Sequence, residues 1–194
     1  MRQTVVPIEL PEPPLADEEI VLRGLREGDV AAITAACQDP LIARFTLVPS
    51  PYSEDDAREW LRIADAARQR GEGVHLAIAG RRDDAYLGSI GLSRIDWEHR
   101  LGQIGYLVAP HARRRGAATG AVRLLAGWAL QSLNLARVEI RVDVENSASQ
   151  AVAEAAGFVR EGVLRSRAES KGRRWDEVMF SLLPADLDPS APSG

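Results

Sequence analysis

Residues 101–144 constrain the fold more tightly than any other stretch, because they set two strands around one long helix. LGQIGYLVA (101–109) has the apolar content of a short strand. AATGAVRLLAGWALQSL (117–133) puts Ala121, Val122, Leu125, Trp128 and Ala129 on one stripe of a helix. ARVEIRVDV (136–144) alternates strictly, so Val138, Ile140, Val142 and Val144 share one face of a strand. Elements with one face each to bury need a sheet covered by helices. That is an α/β chain.

The junction HARRRGAATG (111–120) sets three arginines and Gly116 where the long helix begins. A helix N-terminus carries unpaired N–H groups and roughly half a positive charge. With a glycine in the loop, those groups fold into a nest for phosphate, and the arginines can cover its oxygens. Other phosphate loops fit worse: no lysine completes GxxxxGK[ST], and no GxGxxG follows a strand. A solvated patch or a nucleic-acid contact are the competing readings of the run. The net charge of −4 argues against bulk nucleic-acid affinity.

Around this centre, residues 1–18 read as an extended arm rich in Pro and Glu, 19–183 as a single domain, and 184–194 as a flexible polar tail. Strands are expected at 19–25, 74–80, 85–95, 158–167 and 173–183, and helices at 27–39, 53–71 and 147–157. In the second of these helices Ser53 and Asp56 form a capping box. Trp60, Ile63, Ala64 and Ala67 on that helix recur at three-to-four spacing, a stripe for the core. The result is a mixed, mostly antiparallel sheet of about seven strands with helices on both faces. No apolar run reaches the roughly 18 residues of a membrane span, and the N-terminus lacks the apolar segment of a leader. Cys37 is the single cysteine, expected as a packed core thiol, so a thiolate zinc site is excluded. His99 and His111 fall in expected loops, His75 on a strand has no carboxylate at metal spacing, and no metal is expected. The expected compartment is the cytoplasm.

IGYLVAPHARRRGAATGAVRLL resembles motif A of the GNAT acetyltransferases, whose loop reads Gln/Arg-x-x-Gly-x-Gly/Ala. RVEIRVDVENSASQAVAEAAGFVREGVLR resembles the following segment in the ribosomal-protein alanine acetyltransferase (RimJ/RimL-like) branch. Asn146-x-x-Ser149, Gly157-Phe158 and Glu161-Gly162 follow in the branch's order. The likeness is strong over 86–183 and fainter over 19–80. It implies an acetyl-CoA site and the acyl-CoA N-acyltransferase fold. The pyrophosphate would rest on the loop of Arg113, Arg114, Arg115 and Gly116 and on the amides of Ala117, Ala118 and Thr119. Pantetheine would pair with the backbone of Leu107, Val108 and Ala109. Asn146 would hold the pantetheine arm or its bordering loop; its other reading is a cap for the helix at 147.

The resemblance also frames the chemistry. The family's tyrosine acid, four residues before Gly-Phe, is replaced by Ala153, which leaves Ser149 as the donor to the departing sulfur. A local first-turn hydroxyl is the alternative reading of Ser149. Where relatives carry a glutamate before IGY, this chain has Gln103, which orients water but takes no proton. Glu169, Glu98 and Glu145 each read first as solvated charges; as a base, Glu169 is the first choice, ahead of Glu98 and Glu145. Tyr106 and Trp97 either line an acceptor pocket or serve sheet packing, with packing favoured. The expected activity is acetyl transfer to a primary amine: a protein N-terminus, a small metabolite or an amino sugar. A CoA-binding module of weak turnover is the alternative. Homodimers occur in the branch.

Overall fold

The computed structural model describes residues 6–187. In chain order its elements are β1 (Leu15–Ala16), β2 (Ile20–Gly24), α1 (Val30–Cys37), α2 (Pro40–Phe45) and α3 (Glu54–Gln69). Next come β3 (Val74–Gly80), β4 (Tyr86–Asp96), β5 (Leu101–Val108) and α4 (Ala117–Gln131). The chain closes with β6 (Arg137–Asp143), α5 (Ser147–Ala155), β7 (Val159–Ser170) and β8 (Arg173–Leu182). All eight strands join one sheet in the order β1-β2-β3-β4-β5-β6-β8-β7. Every neighbouring pair is antiparallel except β5 with β6.

The mixed, mostly antiparallel class expected from the sequence is the one observed, with eight strands in place of about seven. The additional strand is the two-residue β1, which lies in the stretch read as an arm. That stretch also sends Ile8, 3% exposed, into the core. Residues 1–5 of the arm and 188–194 of the tail lie outside the described residues.

Strand alternation sorts the core into two layers. Val138, Ile140, Val178 and Phe180 bury one face of the sheet against Val122 and Leu125 of α4. On the other face α1, α2 and α3 bury Ile33, Cys37, Ile42 and Ala57 with Tyr86 and Ala77. Cys37 is a core thiol, and burial pushes its pKa up to about 11. α3 starts at the expected capping box, with the Ser53 amide 2.8 Å from Asp56 Oδ2 and the Asp56 amide 3.2 Å from Ser53 Oγ.

Three local expectations are corrected. The apolar stripe of α3 is not all core: Ala57 and Ala64 are buried, but Ile63 is 48% exposed. Trp60 is half-buried and stands edge-on to His75 at 4.7 Å between ring centroids. α3 lies on the rim of a cleft, so one flank of its stripe faces the cavity. Val144 is exposed because β6 ends at Asp143. α2 was not expected; Asp39 caps it by accepting from the amides of Leu41 (3.0 Å) and Ile42 (3.1 Å), with Pro40 in the first turn.

Phe180 is fully buried in β8, away from the cleft wall. Phe180→Ala is expected to cost about 3–5 kcal/mol of stability. Val159→Ala, on the exposed part of β7, is expected to change stability by about 0.5 kcal/mol or less. Denaturant unfolding of the two variants checks both.

Candidate active site

β5 and β6 pair through three rungs only: Leu101 with Arg137, Gly102 with Val138, and Gln103 with Glu139. β5 runs on against β4 to Val108, and β6 against β8 to Asp143. Beyond Gln103 the two parallel strands part, and the sheet opens into a V. The V belongs to a cleft of about 1490 Å³. The Ala109 amide donates to the Leu87 carbonyl at 2.8 Å. By ladder alternation the polar groups of Leu107 and Ala109 therefore face β4, and those of Tyr106 and Val108 face the V. Of the expected backbone positions Leu107, Val108 and Ala109, only Val108 turns its polar groups to the V, and Tyr106 joins it.

The loop before α4 stands at one end of the cleft. Arg114 (φ 60°) and Gly116 (φ 79°) are both left-handed, which turns successive amides inwards as in an anion nest. The first intrahelical bond runs from the Gly120 amide to the Gly116 carbonyl (2.9 Å), so the amides of Ala117, Ala118 and Thr119 precede it. A Cβ built on Gly116 meets nothing within 4 Å, so the space beside it is open. Arg114 lines the cleft, while Arg115 is exposed and off its wall. Arg113 is committed elsewhere: its guanidinium makes a two-pronged pair with Asp39, at 2.7 and 3.2 Å. That guanidinium holds the Asp39 carboxyl below the usual range.

Ser149 sits in the first turn of α5, beside the V. Its amide donates to Asn146 Oδ1 at 3.1 Å, so the capping reading of Asn146 is realised. The Tyr106 hydroxyl lies 2.7 Å from Ser149 Oγ and 3.2 Å from the Ser149 carbonyl. Burial pushes the Tyr106 phenol up to about 12, so at neutral pH it is a protonated donor. Ala153 is fully buried in the core. Gln103 stands at the last rung of the V, and its Oε1 is buried without a partner among the described residues.

The expected base carboxylates divide. Glu169 lines the cleft, but Arg174 holds its carboxylate. Glu145 is shared by Arg44 (2.9 Å) and Arg173 (2.5 Å). Glu98 is exposed in the β4–β5 turn, off the cleft wall. Trp97 is also away from the wall, donating to the Gly71 carbonyl at 2.8 Å. His75 is on the wall, but burial pulls its pKa down to about 4, so it is neutral at pH 7.

α2 and the loop after it form a further wall, tied on three sides. Asp39 holds Arg113 of the phosphate-type loop, and Arg44 holds Glu145. The chain's single lysine, Lys171 in the β7–β8 turn, donates to the carbonyls of Ala43 (2.6 Å), Val48 (2.6 Å) and Thr46 (3.4 Å). Sequence reasoning missed this wall, although Asp39-Pro40 was its signal. It also underrated Tyr106, whose alternation with Ile104 and Val108 puts it on the face that α5 covers.

Residues 19–159 match the family model described as an acetyltransferase (GNAT) domain. The chain belongs to the GNAT family of acetyltransferases, and it is an N-acetyltransferase. Among its relatives is the uncharacterised N-acetyltransferase p20 of Bacillus licheniformis, 29% identical over 87% of this chain and 95% of p20. YdaF of Bacillus subtilis (strain 168), provisionally named a ribosomal N-acetyltransferase, is 32% identical over 89% of this chain and 95% of its own. The solved structure of Mycobacterium smegmatis RimJ in complex with CoA-disulfide shares the fold, with a TM-score of 0.79 at 22% identity. That match spans 89% of this chain and 85% of RimJ.

Proposed function

We propose that this chain moves an acetyl group from acetyl-CoA to a primary amine by direct attack in a ternary complex. The observation that carries the reading is the parting of β5 and β6 beside Ser149. It opens a slot lined by unpaired backbone, with helix amides at its mouth. The residues present fit the donor: the Gly116 side is open, and the amides of Ala117, Ala118 and Thr119 are available to a pyrophosphate. When bound, acetyl-CoA supplies an activated acyl group as its thioester.

The chain's own groups divide the remaining work. Val108 and Tyr106 present backbone polar groups to the pantetheine arm, and Asn146 borders it. Arg114 and Arg115 attract the phosphates, while Arg113 ties the loop to α2. Ser149 donates its hydroxyl hydrogen towards the departing sulfur, and Tyr106 donates in turn to Ser149 Oγ. Gln103 offers an acceptor oxygen but no base. The protein side of the cleft receives a small amine or a protein N-terminus; the name given to YdaF supports the second. The setting is the cytoplasm, with a homodimer as the assembly.

Gly116→Val is expected to weaken coenzyme A binding at least tenfold, about 1.4 kcal/mol, because a β-branched residue is strained at positive φ. Calorimetry that returns an unchanged affinity removes this loop from the site.

Ser149→Ala is expected to lower kcat by roughly 10–10³ with coenzyme A affinity kept, as for a contact made mainly in the transition state. Tyr106→Phe should fall between wild type and Ser149→Ala. If both variants stay within twofold of wild type, the pair is structural only.

With Gln103 in place of a carboxylate, presenting a neutral amine depends on the acceptor's own pKa. At pH 7 that costs about 4.6 kcal/mol for a lysine-like amine and about 1 kcal/mol for an α-amine. Wild type is expected to acetylate α-amines faster than matched lysine side chains, with a rate that rises into the alkaline range. Equal rates for the two acceptors at pH 7 would show that another base is at work.

A further inference from the structure

Glu177 is half-buried in β8 and lines the cleft. The other carboxylates on that wall are occupied. Asp143 takes Arg173 at 2.7 Å, Glu145 takes Arg44 and Arg173, and Glu169 takes Arg174. On α3, Asp56 serves the Ser53 cap and Glu59 pairs with Arg62. No hydrogen bond or ion pair reaches the Glu177 carboxylate among the described residues.

Its surroundings sharpen the point. In the β6–β8 ladder Glu177 stands directly opposite Asp143, so two carboxylates face each other across adjacent strands. Like charges in that position repel. Among the cations of the cleft, Arg173 and Arg44 together serve Asp143 and Glu145, Arg141 on the same face of β6 is held by Glu139, and Arg167 lines the cleft without an ion pair to Glu177. Glu177 is left without an ion-pair partner on the cleft wall among the described residues. Two residues earlier, on the same face of β8, Trp175 also lines the cleft. The Trp175 ring already receives a cation, with the Arg173 guanidinium 5.4 Å from its centroid. A carboxylate without a partner beside an aromatic ring is a combination that suits an alkylammonium group.

We propose that Glu177, with Trp175 beside it, is the subsite that receives the ammonium of the acceptor, so the acceptor class is a cationic primary amine with an apolar body. This rests on the acetyl-transfer reading only for what happens after docking; the docking itself is a binding event. Its place on β8 also differs from the β5 position where the family resemblance expects a carboxylate.

The test measures binding and turnover separately. The probes are 2-phenylethylamine and its uncharged isostere 2-phenylethanol, titrated calorimetrically into the coenzyme A complex of the wild type, Glu177→Gln and Glu177→Asp. The amine should bind wild type more tightly than the alcohol. Glu177→Gln should weaken the amine at least tenfold and leave the alcohol unchanged, and Glu177→Asp should retain most of the amine affinity. The subsite is overturned if wild type fails to prefer the amine, if Glu177→Gln binds it as wild type does, or if amine and alcohol affinities fall together. Acetylated amine, read by mass spectrometry with acetyl-CoA as donor, is a separate outcome. Tight amine binding lost in Glu177→Gln, with no product from wild type, would retain the subsite and reject direct acetyl transfer to an amine docked there.

Discussion

The short parallel pairing of β5 and β6 is the constraint on which the rest of the molecule depends. Parallel neighbours joined by a crossover helix normally share a full ladder. Here each strand is held by its other neighbour, β5 by β4 to Val108 and β6 by β8 to Asp143, and they share only three rungs. Backbone groups left in the gap need partners when water is excluded. An unpaired strand edge inside a cleft is therefore a recognition surface for an extended, amide-bearing ligand. The same divergence makes room for α5 to bring Ser149 within 2.7 Å of the Tyr106 hydroxyl across the gap.

The second layer of organisation is electrostatic and local. α2 is only six residues long and could not hold its place by helix propensity, since isolated short helices are marginal. It is fixed by Asp39 to Arg113, by Arg44 to Glu145, and by Lys171 to the carbonyls at its C-terminal side. The exposed pairs in this set contribute little individually. The Asp39–Arg113 pair differs, because it is two-pronged, partly buried and coincides with a helix cap. It joins the loop before α4 to the α2 wall of the cleft.

The fold was legible because its strongest elements combine periodicity with punctuation. The alternation of Val138, Ile140 and Val142, the stripe on α4 and the Ser53 capping box are local signals, and tertiary contacts reinforce each of them. The site was legible where it is contiguous in sequence: Gly116 at the head of α4, and Asn146 with Ser149 at the head of α5. It was not legible where function arises between distant segments. Nothing in the sequence joins Arg113 to Asp39, or Tyr106 to Ser149, because the sheet order that unites them is set by long-range pairing. Ile63 misled for the converse reason. A cleft wall and a core wall carry the same helical period, and only the opposing surface tells them apart.

Gln103 and Glu177 show how the cleft can differ from its family pattern without losing its shape. At the apex of the V an amide keeps the length and the acceptor oxygen of a glutamate while removing its charge. That charge would have stood on the same rung as Glu139, which is already balanced by Arg137 and Arg141 at 2.9 Å each. A second carboxylate there would be buried beside the first, at substantial desolvation cost. On β8, near the open end of β6, a carboxylate keeps partial hydration and is reachable by a ligand. The same net charge is tolerated there because an incoming cation can complete it. The apex thus carries an amide, and the carboxylate stands on the more hydrated wall.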